Sequence, residues 1–236
     1  MRPLSLFYPT RCVGCGEKTA EIAPGGLFCP VCLEKWRAQK KEICPECGKR
    51  QSECRCRFDP RFPYAHLIGY DPAVPGVGTT LLFRMKNKPL PRGTVFPANE
   101  LAKLLLARGW EKDAVLVFVP RAPYRRRQAG VDQAKELCEG IAKETGLAVV
   151  PALKRIRLGK EQKYLSQKER RENAAALYRP DPKTISGVAG KRAILVDDIV
   201  TTGSSAAVCG EILLAAGAKS VAVLSVGRTG KETEKT

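Results

Sequence analysis

Residues 193–205, AILVDDIVTTGSS, constrain the fold of this chain more than any other stretch. Four apolar residues run into two aspartates, then two more apolar residues, then Thr-Thr-Gly-Ser-Ser. An apolar run without alternation reads as a strand buried on both faces, as in a parallel sheet. Thr201, Thr202, Gly203, Ser204 and Ser205 read as a tight turn opening a helix, and a helix start leaves N–H groups free for phosphate. Asp197 and Asp198 are expected where the strand ends, at the carboxyl edge where open α/β sheets hold ligands. Adjacent carboxylates beside an anion cradle suit a molecule with vicinal hydroxyls and a phosphate, such as a ribose 5-phosphate. The bland alternative is a buried strand with a polar turn. Two acids and a hydroxyl-glycine turn in fixed register seldom arise from packing alone.

The same thirteen residues resemble the PRPP-binding signature of type I phosphoribosyltransferases along their whole length. The resemblance implies that Asp197 and Asp198 hold the ribose hydroxyls. It implies that Thr201, Thr202, Gly203, Ser204 and Ser205 grip the 5-phosphate, with Mg²⁺ accompanying PRPP.

Cysteine spacing makes the second strong statement. Eight of the ten cysteines lie between Cys12 and Cys56, as Cys12/Cys15, Cys29/Cys32, Cys44/Cys47 and Cys54/Cys56. The first three pairs have the two-residue gap of zinc knuckles, which lets both thiolates face one tetrahedral ion. Gly16 and Gly48 follow second cysteines, where a tight turn wants positive φ. The simplest partition is sequential: Cys12, Cys15, Cys29 and Cys32 on one ion, Cys44, Cys47, Cys54 and Cys56 on another. A cross-braced partition, first pair with third and second with fourth, satisfies the same spacing. Neither site leaves an open ligand position, so one or two structural zinc ions are expected. Cys138 and Cys209 sit in apolar helical stretches and read as small buried hydrophobes.

The formal net charge is +17. Eight thiolates and two Zn²⁺ together carry −4, which leaves +13. Such an excess favours polyanionic partners, nucleic acid or phosphorylated ligands, over a merely soluble surface. No apolar run reaches the length of a membrane span, and MRPLSLFYPTRC lacks the apolar core of a signal peptide. Cytoplasm is the expected compartment, and ten cysteines there argue for metal rather than disulfides.

Three regions follow: a cysteine-rich zinc module over 1–60, an α/β domain over 61–230 and a polar tail over 231–236. The pattern predicts strands at 65–70, 114–119, 148–153, 193–196 and 220–226. Helices are expected at 33–41, 76–83, 99–108, 131–144, 167–176 and 204–216. Their alternation predicts an α/β fold, a mostly parallel sheet flanked by helices, preceded by the small zinc-bound module. His66 has no visible partner and reads as structural. Trp36 is expected against a zinc site, with base stacking as the sharper alternative. Phe58, Phe62, Tyr124 and Tyr164 also stand near basic residues and are weighed as stacking platforms.

Two further segments handle charge. Arg121, in the VPR turn after the 114–119 strand, is the candidate for pyrophosphate, followed by Arg125, Arg126 and Arg127. The alternative is a solvated basic loop. Residues 155–173, RIRLGKEQKYLSQKERREN, are dense in Lys, Arg and Gln. The resemblance to phosphoribosyltransferases implies a lid here that closes over the ligand, with Lys160, Gln162 and Lys163 as its candidates; the same segment also suits contacts to nucleic-acid phosphates.

The order of zinc module, VPR loop, Gln162 with Leu165-Ser166 and Arg170-Arg171-x-Asn173, then LVDDIVTTGSS, is similar to the ComF-type competence proteins over nearly the whole chain. That family usually has Arg-Gly-Phe-Asn-Gln where this chain has Ala129-Gly130-Val131-Asp132-Gln133. The resemblance implies a type I phosphoribosyltransferase-like fold and handling of single-stranded DNA in natural transformation, with other DNA-processing proteins as further partners. Two readings compete: a PRPP/Mg-binding protein that handles single-stranded DNA, and an active phosphoribosyltransferase acting on an unidentified acceptor.

Overall fold

The structure is a computed structural model that describes residues 11–19, 21–22, 26–42, 49–50, 61–87, 93–121, 132–156 and 175–229. Among the described residues the strands are β1 (Tyr64–Tyr70), β2 (Ala114–Phe118), β3 (Leu153–Arg155), β4 (Tyr178–Pro180), β5 (Arg192–Val200) and β6 (Ser220–Thr229). The helices used below are α1 (Pro30–Lys41), α2 (Val77–Asn87), α3 (Val95–Ala107), α4 (Gln133–Thr145) and α5 (Ser204–Ala215). A 3₁₀ turn spans Ile185–Val188.

The main sheet has the order β1-β6-β5-β2, and every pairing in it is parallel. The apolar run of β5 places it inside this sheet, because both of its faces are covered. Ile194 and Val196 enter one core while Ala193 and Leu195 enter the other. The first core packs α2, α3 and α4 together with Cys12, Phe28, Cys32 and Trp36 from the cysteine-rich segment. The second core packs α5 with Phe62, Leu153, Tyr178 and Val188. A parallel bridge from Val149 to Leu116 continues the sheet beyond β2. The regular strand expected over 148–153 is thus reduced to this bridge, and β3 begins only at Leu153. There the chain leaves the sheet and pairs with β4 in a separate antiparallel ladder.

Local rules account for the helix ends. Asp132 caps α4 by accepting from the Lys135 amide, and Gly146 closes it in the left-handed region at φ 73°. The segment expected over 76–83 continues to Asn87, because Leu81, Leu82 and Met85 all find the core. Gly140 lets α4 approach α3 closely: a Cβ there would lie 2.5 Å from that of Ala98.

Trp36 is fully buried, in a ring cluster with Phe28 at 5.8 Å and Phe96 at 5.7 Å. Phe62 is 4% exposed, beneath Gly210 of α5. Both are therefore core residues rather than base-stacking platforms, since a stacking ring must show a face to its ligand. Phe58, Tyr124 and Tyr164 lie outside the described residues. His66 is buried and stacked on Tyr64 at 5.1 Å. Burial, with Arg228 and Arg108 adding repulsion, pushes its pKa down to about 3. Cys138 and Cys209 are buried.

Candidate functional site

The strand that carries the acidic pair is longer than its apolar run. β5 continues through Asp197 and Asp198 to Val200, four residues beyond the expected strand end. The reason is asymmetric pairing. On one side β6 stays in register from Asp197 opposite Ser225 to Val200 opposite Arg228. On the other side the β2 ladder stops at Phe118 opposite Val196, and a last bond joins the Val119 amide to the Val196 carbonyl at 3.0 Å. Beyond that bond β2 leaves the sheet, so the two aspartates face an opening on the β2 side.

The opening is a cavity of about 160 Å³. Asp197, Asp198 and Ile199 reach it from β5, Arg121 from the turn after β2, and Asp132 and Gln133 from the start of α4. Lys86 arrives from the end of α2, Arg155 from β3, Tyr178 from β4 and Ser205 from the first turn of α5. Three cations and three carboxylates thus surround one small space. Asp197 accepts from the Asp198 amide at 2.9 Å, and Asp198 accepts from the Ile199 amide at 2.7 Å. Burial first, and the neighbouring Asp198 carboxylate second, hold the Asp197 carboxyl well above the ordinary carboxylate range. Lys86 acts in the opposite direction.

The start of α5 lies beside the carboxylates. Gly203 occupies its N-cap at φ 75° with no side-chain cap, a backbone geometry suited to glycine. Thr201 and Thr202 form the bend that precedes it. The Thr202 and Ser204 hydroxyls bond to each other at 2.9 Å, and of residues 201–205 Ser205 is the one lining the cavity. The Tyr178 hydroxyl donates to Ser205 Oγ at 3.3 Å. Burial is the main cause that lifts the Tyr178 pKa to about 12, so this phenol stays a donor.

Arg121 reaches the cavity but is engaged within the protein. It donates to Gln133 Oε1 and, at 3.4 Å, to the Lys86 carbonyl at the end of α2. Gln133 in turn donates to the Met85 carbonyl at 2.7 Å. These bonds satisfy carbonyls that a helix end leaves open. Arg125, Arg126, Arg127, Lys160, Gln162 and Lys163 lie outside the described residues.

Five lining residues carry chemistry that the sequence reading assigned to no ligand: Lys86, Asp132, Gln133, Arg155 and Tyr178. Lys86 had a signal, as a basic residue closing an amphipathic helix, but nothing local says that this helix ends at the carboxyl edge. Arg155 and Tyr178 pair across the β3–β4 ladder, with the guanidinium 5.5 Å over the ring. That ladder has no period long enough to read from three residues per strand.

The cysteine centre lies elsewhere. The Sγ atoms of Cys12, Cys15, Cys29 and Cys32 all lie within 4.8 Å of one another. A tetrahedral zinc with bonds near 2.3 Å sets its sulfurs roughly 3.8 Å apart, and Cys15 and Cys29 are at 4.0 Å. The Cys29 amide donates to Cys12 Sγ at 3.3 Å, and Gly16 turns the first knuckle at φ 82°. At Cys12 burial opposes ionisation, but backbone N–H groups of Cys15, Cys29 and Gly14 outweigh it and bring the thiol down to about 6. This donor set fits a structural zinc, and it follows the sequential partition. Cys44, Cys47, Cys54 and Cys56 lie outside the described residues.

A parallel sheet flanked by helices, with two acids at its carboxyl edge and a helix start beside them, is the layout of a phosphoribosyltransferase-like fold. Residues 3–60 match the Double zinc ribbon domain. The DNA utilization protein YhgH of Salmonella typhimurium (strain LT2) is 29% identical over 219 residues, covering 86% of this chain and 90% of that protein. The chain is thus similar to a zinc ribbon over residues 3–60 and to a DNA utilization protein over most of both lengths. Among solved structures, the purine phosphoribosyltransferase of Pyrococcus horikoshii is 16% identical, with a TM-score of 0.38 over 61% of this chain and 89% of that one. The glutamine PRPP amidotransferase of B. subtilis is 24% identical, with a TM-score of 0.39 over 56% of this chain. The match spans 26% of that enzyme's length. Among the described residues no helix is long and apolar enough to cross a membrane.

Proposed function

We propose that this chain binds PRPP with Mg²⁺ at the carboxyl edge of its sheet and handles single-stranded DNA during DNA uptake. The observation that carries the ligand reading is the convergence of Asp197 and Asp198, Ser205 in the first turn of α5 and the cations Lys86, Arg121 and Arg155 on one cavity. Each aspartate accepts from the next backbone amide, which fixes the pair at this edge, and carboxylate oxygens there suit vicinal hydroxyls. The α5 start, with Ser205 steadied by Tyr178, suits a monoester phosphate. Lys86 and Arg121 suit a diphosphate on the far side of the acids. Both carboxylates offer the oxygen donors that Mg²⁺ takes, and a dication there would offset the cost of ionising Asp197. Zinc stays structural in this scheme, and the protein works in the cytoplasm.

The DNA reading is supported by the net charge of +17 and by the printed name of the relatives, DNA utilization protein. The ligand half is tested by calorimetry with PRPP and Mg²⁺ on the wild type and on a double Asp197→Ala, Asp198→Ala variant. Wild-type binding that the double variant loses is expected. A wild type that takes up no heat refutes the site. Pyrophosphate release in the same cell across a panel of nucleobases and amines would move the protein to an active transferase. Affinity for single-stranded oligonucleotides should fall steeply with salt, and a flat response refutes the DNA half.

A further inference from the structure

The cysteine module and the anion cavity share a mechanical element, helix α2. The module meets α2 near its beginning. Gln39 of α1 accepts from the Gly78 amide at 3.1 Å, in the first turn of α2, and donates to the Gly69 carbonyl at the end of β1 at 3.4 Å. The fit is close: a Cβ on Gly78 would lie 2.6 Å from Gln39 Oε1 and would also collide with Ile68. The first zinc knuckle lies along the same helix. A Cβ on Gly14 would sit 2.8 Å from Cys32 Sγ and 3.4 Å from Val77, the first residue of α2. A Cβ on Gly16 would lie 3.9 Å from the Arg84 guanidinium.

The other end of α2 belongs to the cavity. Its Met85 carbonyl holds Gln133, its Lys86 carbonyl holds Arg121, and Lys86 itself lines the space that contains Asp197. The helix between these ends is one rigid span of eleven residues, about 15 Å long, with Leu81, Leu82 and Met85 locked in the core. A displacement at Gly78 therefore has no soft joint in which to dissipate before it reaches Lys86.

We infer that α2 couples the four-cysteine site to the anion cavity, with Gln39 as the positioning residue between them. Zinc fixes the knuckle and α1, these fix the start of α2, and α2 sets where Lys86 and Arg121 stand. By linkage, anion binding then strengthens the hold on zinc by the same factor that zinc strengthens anion binding. The ligand half of the inference rests on the PRPP reading above. The mechanical half does not.

Amide hydrogen exchange on the full chain separates the two. In a Gln39→Ala variant that keeps its zinc, exchange over residues 83–87 should quicken at least about fivefold while β5 and β6 stay as in the wild type. Gln39→Glu keeps an acceptor for the Gly78 amide and should restore the slow exchange. Stripping zinc from the wild type with a chelator should produce the same local quickening. If residues 83–87 exchange at the wild-type rate in Gln39→Ala, the coupling is refuted. With PRPP and Mg²⁺ as probe, Gln39→Ala should weaken binding about 5- to 10-fold, and should weaken it no further in a Lys86→Ala background. Additive losses overturn the route through Lys86. A quickened exchange in a protein that binds no PRPP leaves the coupling standing and refutes the ligand reading alone.

Discussion

The amide of Asp198 donates to the carboxylate of Asp197 at 2.9 Å, so two adjacent acids are held side by side at the open edge of a buried sheet. A protein that placed them there for packing alone would gain nothing from their mutual repulsion.

Asp197 is expected to cost stability in the free protein. Its folded pKa is raised by burial and by Asp198. Its contribution is therefore greatest below the unfolded value of 3.8 and is lost as pH rises through the folded value. Asp197→Asn should raise Tm at neutral pH by about 2–4 °C, the usual size for roughly 1 kcal/mol in a chain this long. The same variant should lose PRPP/Mg binding. Thermal melts at pH 7, with calorimetry beside them, check both; a lowered Tm contradicts the electrostatic account.

His66 makes an opposite prediction for acid. Its folded pKa, about 3, lies below the unfolded 6.5, so the unfolded chain takes the proton first. Stability should be full above about 6.5 and fall as pH drops from there towards 3. Urea melts across that window should show the slope, and His66→Phe, which keeps a ring against Tyr64, should flatten it.

Gly140 sets the distance between α3 and α4. Gly140→Ala places a methyl 2.5 Å from the Ala98 Cβ, and both neighbours are backbone-anchored. The helices must separate, at a cost of about 1–3 kcal/mol. Pairing it with Ala98→Gly should recover most of the loss in a denaturant titration.

Tyr178→Phe should leave the fold intact, since the ring stays buried, while Ser205 loses its donor. Affinity for PRPP is expected to fall about 3- to 10-fold, the worth of one neutral hydrogen bond. An unchanged affinity in calorimetry would detach Ser205 from the phosphate.

The sheet was legible because β5 and β6 are apolar on both faces, a pattern that packing cannot counterfeit. The acidic pair was legible for the same reason: two charges interrupt an otherwise buried run. The length of β5 was not, because it depends on where β2 turns away, a fact about another strand. Cys12, Cys15, Cys29 and Cys32 were legible as metal-ligating pairs from spacing alone, but their grouping around one site was not, because a cross-braced partition has the same spacing. Trp36 and Phe62 were ambiguous in sequence, since an aromatic beside basic residues suits a core as well as a ligand. Lys86, Arg155 and Tyr178 meet only in three dimensions, from elements separated by up to about 90 residues.

Phe28 and Trp36 close around Phe96, so one ring cluster joins the cysteine-rich segment to the helical face of the sheet. The boundary near residue 60 in the primary structure is thus not a place to cut. A fragment beginning there would leave the sides of Phe96 that now meet Phe28 and Trp36 naked to water. Expressed alone, the sheet should precipitate or recruit a surrogate, and the intact protein should melt in one transition. Engineers seeking to graft this site onto another carrier must carry the ribbon with it.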